Sequence, residues 1–166
     1  PFAAGSGTDI LARIVTDEMR TTMNASFVID NRAGASGQIA AELVAKSNPD
    51  GYTIFLSTNT PHSVNPFLFK KITYDPVKDF DAVARMIYYI FILVVNPNSS
   101  VKSVAELISY VKANPGKTSY AFGNGSGQVN GAYLVSAAKI DSLAVPYKST
   151  PPAMTDLIAG QVQWMF

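Results

Sequence analysis

The chain has 166 residues, with 13 Lys and Arg against 12 Asp and Glu, one His, no Cys, and 48% of its positions from the apolar set. A net charge of +1 gives no long-range field to draw in nucleic acid or an anionic membrane surface, and the cations are scattered, with Lys70 and Lys71 the only adjacent pair. The lack of cysteine excludes disulfides, thiolate metal sites, iron–sulfur clusters and thiol nucleophiles, and the apolar run around residues 87–95 is far short of the roughly 18 residues a membrane-spanning helix needs.

The opening Pro1-Phe2-Ala3-Ala4-Gly5 reads as the turn after a strand. Ile10, Leu11, Ile14, Val15 and Met19 then recur at helical spacing with Arg13, Asp17, Glu18 and Arg20 between them, which predicts an amphipathic helix over residues 8–23. Phe27, Val28 and Ile29 form a short strand ending in Asp30-Asn31-Arg32, and Ala33-Gly34-Ala35-Ser36-Gly37 makes a second small-residue loop. Ile39, Ala40, Leu43 and Val44 give the next helical stripe, stopped by the turn Asn48-Pro49-Asp50-Gly51. A buried strand over residues 52–56 leads into the polar loop Ser57-Thr58-Asn59-Thr60-Pro61-His62-Ser63. A short helix over 65–69 is expected to carry Phe67, Leu68 and Phe69 inward. Residues 82–86 and 90–95 are β-rich runs, and a lobe boundary falls near Asn96, giving a first lobe over 1–95 and a second over 96–166.

Ser103-Val104-Ala105-Glu106 fits a capping box. It opens a helix with the stripe Val104, Leu107, Ile108 and Val111 that Asn114-Pro115-Gly116 ends. Residues 119–122 read as a strand, Gly123-Asn124-Gly125-Ser126-Gly127 as a third small-residue loop, and 129–138 as a helix. Leu143-Ala144-Val145 is a strand; Thr150 is placed to cap a helix opened by Pro151 and Pro152 and closed by Gly160. The last strand is 162–166. Short apolar strands alternating with amphipathic helices make an α/β protein with mostly parallel sheet flanked by helices. Both ends read as cut inside elements, so the sequence is expected to be truncated at both ends, with any secretory signal upstream.

Three times the chain runs strand, small-residue loop, helix, at residues 2–9, 31–38 and 122–128. At such junctions the first helical amides have no internal partners and point outward with the positive end of the helix dipole, and small residues let an anion come close. In parallel sheets these loops lie at the carboxyl ends of the strands, where ligands settle; the competing reading is that they only satisfy tight turns. No Gly-x-x-x-x-Gly-Lys-Ser/Thr pattern occurs, and neither Gly5-Ser6-Gly7 nor Gly123-Asn124-Gly125 has the third glycine of a dinucleotide fingerprint, so no nucleotide cofactor is implied. Gly123-Asn124-Gly125-Ser126-Gly127 has Gly125, not a serine, in the middle position a nucleophile elbow needs.

His62, the only imidazole, is either a structural histidine or a ligand-facing hydrogen-bond group; no acid and nucleophile stand in a pattern that would make it catalytic. The carboxylates Asp9, Asp17, Glu18, Glu42, Glu106 and Asp156 sit on or at the starts of helices and form no metal triad. Asp9 is expected to brace the first helix and its loop. Arg32 can clamp a carboxylate or pair with Asp30. Tyr147 and Lys148 are pocket-rim groups, and Phe67, Phe69 and Trp164 are core.

Taken together, Pro1-Phe2-Ala3-Ala4-Gly5-Ser6-Gly7-Thr8-Asp9, Asp30-Asn31-Arg32-Ala33-Gly34-Ala35-Ser36-Gly37, Asn48-Pro49-Asp50-Gly51-Tyr52-Thr53, Tyr74-Asp75-Pro76, Val94-Val95-Asn96-Pro97 and Val145-Pro146-Tyr147-Lys148-Ser149 resemble the Bug family. These are the TctC-like extracytoplasmic solute-binding receptors of tripartite tricarboxylate transporters. The resemblance implies a type II periplasmic-binding-protein fold of two lobes that close over a ligand in the cleft between them. It implies a small carboxylate gripped by backbone amides and bridging waters of the first two loops: Phe2, Ala4, Gly5, Ser6, Gly7, Thr8 and Asp9 with Ala35, Ser36 and Gly37. Ser57, Thr58, Asn59 and His62 would line the first-lobe wall, and Asn124, Gly125, Ser126, Tyr147 and Lys148 the second.

The resemblance further implies a periplasmic, non-enzymatic receptor with no cofactor, no metal and no catalytic residue. Its partners are a small carboxylate and membrane transporter subunits, with no nucleic acid and no membrane insertion of its own. A sensing module with the same lobes is the competing reading, and an enzyme acting on a small carboxylate a more distant one. The chain departs from the family pattern in two places, with Gly5-Ser6 for the usual double glycine and Ser149 where glycine often follows Pro-Tyr-Lys. A complete receptor would return to the first lobe beyond Phe166, and without those strands the piece is expected to bind weakly or not at all.

Overall fold

The computed structural model describes residues 1–166, which divide into two units, Pro1–Val83 and Ala84–Phe166. In the first, helix α1 (Gly7–Met23) starts at Ser6, whose hydroxyl accepts from the Asp9 amide, and stops at Asn24, which turns left-handed at φ 49°. Helix α2 (Gln38–Ala45) buries the small side chains Ala40 and Ala41. A π-helical turn, Thr60–Val64, runs directly into the single turn α3 (Asn65–Leu68).

Two expectations for this unit need adjusting. Residues 27–29 and 52–56 belong to no ladder. A strand is defined by a neighbour that takes its amides and carbonyls, and none pairs with them here, so Val28 and Tyr52 stand 94% and 92% exposed. Phe67 is also not core: it is 89% exposed. In a one-turn helix residues two apart point to nearly opposite sides, and the inward side is taken by Asn65, which is fully buried.

The second unit holds one four-stranded mixed sheet in the order β1-β4-β2-β3, formed by β1 (Val94–Val95), β2 (Ser119–Phe122), β3 (Leu143–Pro146) and β4 (Trp164–Met165). The central β2 is parallel to both β3 and β4, and β1 runs antiparallel to β4, pairing Val95 with Trp164. Val94–Val95, placed at the end of the first lobe from sequence, is therefore hydrogen-bonded into this sheet.

Period-two alternation splits the core between two faces. Tyr120, Phe122 and Trp164 pack with Leu107 and Val111 of α4 (Val104–Ala113) and with Ile140, whereas Ala121 and Met165 pack with Ala153 and Leu157 of α6 (Thr150–Ile158). Trp164 is fully buried, stacks on Tyr120 at 4.6 Å between ring centroids, and donates its indole N–H to Ser142 Oγ at 3.2 Å. Helix α5 (Gly125–Ala138) meets β2 through Gly131, where an added Cβ would lie 2.2 Å from the Tyr120 ring. The expected capping box of α4 is present: Ser103 Oγ accepts from the Glu106 amide, and the Glu106 carboxylate accepts from the Lys102 amide one residue before the cap.

Candidate functional site

In the first unit, long-range hydrogen bonds tie three loops together. Asn31 Nδ2 donates to the Phe2 carbonyl at 3.2 Å, and Asn65 Nδ2 donates to the Ser36 carbonyl at 3.0 Å. Gly37 leaves room for Pro61 and Pro1, both within 3.1 Å of where its Cβ would be. The segment Gly34, Ala35, Ser36, Gly37 runs through four consecutive positive φ angles, 133°, 45°, 51° and 85°. For Ala35 and Ser36 the left-handed region costs roughly 1–2 kcal/mol each. Asn65, anchored on α3, is the group that holds the Ser36 carbonyl in place.

The start of α1 is arranged so that side chains consume some amides and leave others open. Asp9 accepts from the Gly5 amide at 2.9 Å and takes both Nε and Nη2 of Arg13 at 3.0 and 3.1 Å, which makes it the brace expected. Ser6 Oγ takes the Asp9 amide and the Ser6 carbonyl takes that of Ile10. The amides of Gly7 and Thr8 have no acceptor, and an added Cβ on Gly7 would meet nothing within 4 Å. Two N–H groups at the positive end of a 17-residue helix are thus left without an internal acceptor next to the exposed Gly7, an arrangement that can take a carboxylate oxygen.

The Arg13 guanidinium, and after it the Gly5 amide, holds the Asp9 carboxyl down to about 2 from its ordinary 3.8. A depressed pKa contributes stability that is present above about 3.8 and lost as pH falls through about 2. Asp9→Asn is therefore expected to lower the melting temperature at neutral pH, with the gap to the parent closing under acid. A gap that stays constant between neutral pH and pH 2 would count against this role for Asp9.

Along residues 57–62, Thr58 Oγ1 accepts from the Thr60 amide at 3.3 Å, Asn59 is exposed, and His62 bridges the Pro76 carbonyl and Ser57 Oγ, each at 3.0 Å. The His62 ring is edge-on to Phe80 at 5.0 Å. Arg32 takes the second of its two readings: its Nε pairs with Asp30 at 2.8 Å.

In the second unit the loops following β2 and β3 touch. An added Cβ on Gly123 would lie 2.2 Å from both the Ser149 carbonyl carbon and the Thr150 nitrogen, so the starts of α5 and α6 are adjacent. Asn124 caps α5, its side-chain oxygen accepting from the Gly127 amide at 2.9 Å, and Gly125 and Ser126 are buried in the first turn. Tyr147 donates its hydroxyl to Asp156 at 2.6 Å, which pushes its pKa up from 10.0, and Lys148 is exposed.

The cap of α6 is Ser149 and not Thr150, which is the first helical residue. A cap hydroxyl normally accepts from the second or third helical amide; here those are Pro151 and Pro152, which have none. Ser149 Oγ is buried with no partner. Ser149→Ala is accordingly expected to stabilise the protein by about 1 kcal/mol, the lower range for an orphaned polar group, and a loss of similar size in a denaturant titration would refute this.

Asn31 and Asn65 were given no role from sequence, and Ser149 was noted only as a departure from the family pattern, not as a cap without a partner. The first two act across 29 residues of separation, which no local pattern announces. The Ser149-Thr150-Pro151-Pro152 run did contain the signal for the third.

With this geometry in place, comparison with known proteins is decisive. Residues 11–166 match the family described as the tripartite tricarboxylate transporter family receptor, TctC. The chain belongs to this family. BugT of Bordetella pertussis is 34% identical over 167 residues, covering 98% of this chain and 51% of BugT. Among solved TctC-like structures, R. palustris Rpa4515 with adipate is 36% identical with a TM-score of 0.95, over 99% of this chain and 56% of that one. MatC (Rpa3494) from Rhodopseudomonas palustris with bound malate is 34% identical with a TM-score of 0.91, over 99% and 57%. The chain spans about half the length of the curated relatives it matches. The α/β fold is that of periplasmic binding proteins such as BugD, and TctC proteins are receptors for solutes. No helix here is long and apolar enough to cross a membrane.

Proposed function

We propose that this chain serves in a periplasmic TctC receptor that captures a small carboxylate reversibly, without chemistry, and delivers it to the membrane subunits of a tripartite tricarboxylate transporter. The observation that carries the proposal is the pair of unpartnered amides at Gly7 and Thr8 with open space over Gly7, in a family whose solved members include structures with adipate and with malate. The Asp9 charge is paired with Arg13 and accepts from the Gly5 amide, so the anion is met by backbone N–H groups and by the helix dipole, not by a dedicated cation. Asn31 ties the second loop to the first, and Asn65 ties α3 to the second loop. Ser57, Thr58, Asn59 and His62 complete the contacts proposed for this unit.

The experiment is calorimetry on the longest native polypeptide that carries these residues, against mono- and dicarboxylates and their amide analogues. The expected result is reversible 1:1 binding of at least one acid, no binding of its amide, and no turnover on prolonged incubation. Binding of the amide with equal affinity, or conversion of the acid to product, would refute the receptor reading.

A further inference from the structure

Ser57 and His62 form a short hydrogen-bonded chain whose direction is fixed at its far end. His62 Nδ1 lies 3.0 Å from the Pro76 carbonyl oxygen and Nε2 lies 3.0 Å from Ser57 Oγ. A carbonyl can only accept, so the neutral imidazole has its proton on Nδ1 and presents a lone pair at Nε2. Ser57 has one hydroxyl proton for two acceptors. Directed to the Thr58 carbonyl, 3.3 Å away, it would leave lone pairs facing each other across the 3.0 Å gap to His62; directed to Nε2, it satisfies both ends. The ring is clamped in this pose between Phe80, edge-on at 5.0 Å, and Phe55 at 6.0 Å.

We infer that His62 consumes the Ser57 proton, so that Ser57 offers a ligand only lone pairs, and the site selects a carboxylate bearing a hydroxyl or ammonium donor over the same acid without one. The inference rests on the reading that Ser57, which is half-buried, lines the carboxylate site. A carboxylate oxygen brought against Ser57 would meet lone pair with lone pair. A hydroxyl or ammonium group could instead donate to a Ser57 Oγ lone pair. Ser57 is the specificity-determining residue, and His62 is the positioning residue behind it. The chemistry expected of the ligand is therefore a hydroxy or amino acid.

The test compares malate with succinate, lactate with propionate and mandelate with phenylacetate by calorimetry on the longest native polypeptide that carries these residues. The hydroxy acid is expected to bind about tenfold more tightly than its partner in at least one pair, the size of one net hydrogen bond. Ser57→Ala should bring that ratio to about one. His62→Phe keeps a ring beside Phe55 and Phe80 and frees the Ser57 proton, so it should abolish or invert the ratio; a purely structural loss would weaken both acids equally and leave it unchanged, which would overturn the role of His62. Because His62 is the only histidine, nitrogen NMR reads its tautomer without ambiguity and without ligand: protonation at Nδ1 is expected, and protonation at Nε2 alone would overturn the inference. Equal affinities within every pair would overturn it while leaving the carboxylate reading intact. Failure of all six acids to bind would overturn both.

Discussion

Gly123→Ala is expected to destabilise the second unit by about 3 kcal/mol, the upper end for forcing an extra methyl into a packed site. The added Cβ would lie 2.2 Å from the Ser149 carbonyl carbon and the Thr150 nitrogen, and 2.6 Å from the Ser149 oxygen. All three are backbone atoms, so no rotamer change relieves the contact. The two loops cannot separate cheaply either, because Phe122 pairs with Pro146 in the parallel ladder and the Tyr147 amide donates to the Phe122 carbonyl at 2.9 Å. Gly123 needs no left-handed backbone, unlike Gly5 or Gly37, which makes the expected loss purely steric. Trp164, the only tryptophan, is fully buried in the second unit, so its fluorescence in a urea titration reports this loss directly. A midpoint shift equivalent to less than about 0.5 kcal/mol, the size of an ordinary surface change, would show that the two loops do not abut as described.

Gly7→Val is expected to weaken carboxylate binding by at least about a hundredfold, roughly 2.7 kcal/mol, while leaving the melting temperature of the empty protein nearly unchanged. The asymmetry follows from position. A Cβ on Gly7 would meet no atom within 4 Å outside its chain neighbours and its own helix backbone, so the folded protein is expected to accommodate the substitution, while the added bulk stands beside the amides of Gly7 and Thr8. Those amides differ from their neighbours in having no acceptor: the Asp9 amide is taken by Ser6 Oγ and that of Gly5 by the Asp9 carboxylate. If Gly7→Val binds acids as tightly as the parent, the start of α1 is not where the anion rests. If its melting temperature falls by many degrees, the space over Gly7 is not open.

The sequence was most legible where local rules act alone. The stripe Ile10, Leu11, Ile14, Val15 and Met19 placed α1, and Ser103 with Glu106 placed the start of α4, because periodicity and capping are decided within a few residues. Strands β2 and β3 were legible as short apolar runs between loops, and they found partners in each other. Residues 27–29 and 52–56 have the same kind of sequence but no ladder, since pairing depends on what lies alongside and not on the run itself. Phe67 misled because hydrophobicity does not say which side of a one-turn helix faces inward, and there the polar Asn65 was needed inside to hold Ser36.

The candidate site divides along the same line. The small-residue loop before α1 could be read directly, as could the bracing role of Asp9, whereas Gly125, Ser126 and Gly127, read as loop, form the first turn of α5. What could not be read was which polar groups are already spoken for. Arg13 and Gly5 occupy Asp9, Asp156 accepts the Tyr147 proton, and two prolines strip Ser149 of its cap partner. These commitments decide what each group can still offer a ligand.

The most direct measurement is an amide-resolved NMR titration of the longest native polypeptide that carries these residues, with the tightest-binding acid of the carboxylate panel. Recognition by open backbone amides predicts that the Gly7 and Thr8 N–H resonances move downfield together and saturate at the affinity seen by calorimetry, whereas Asp9 and Gly5, whose amides already have acceptors, move little. Saturable binding that leaves Gly7 and Thr8 unshifted would contradict it.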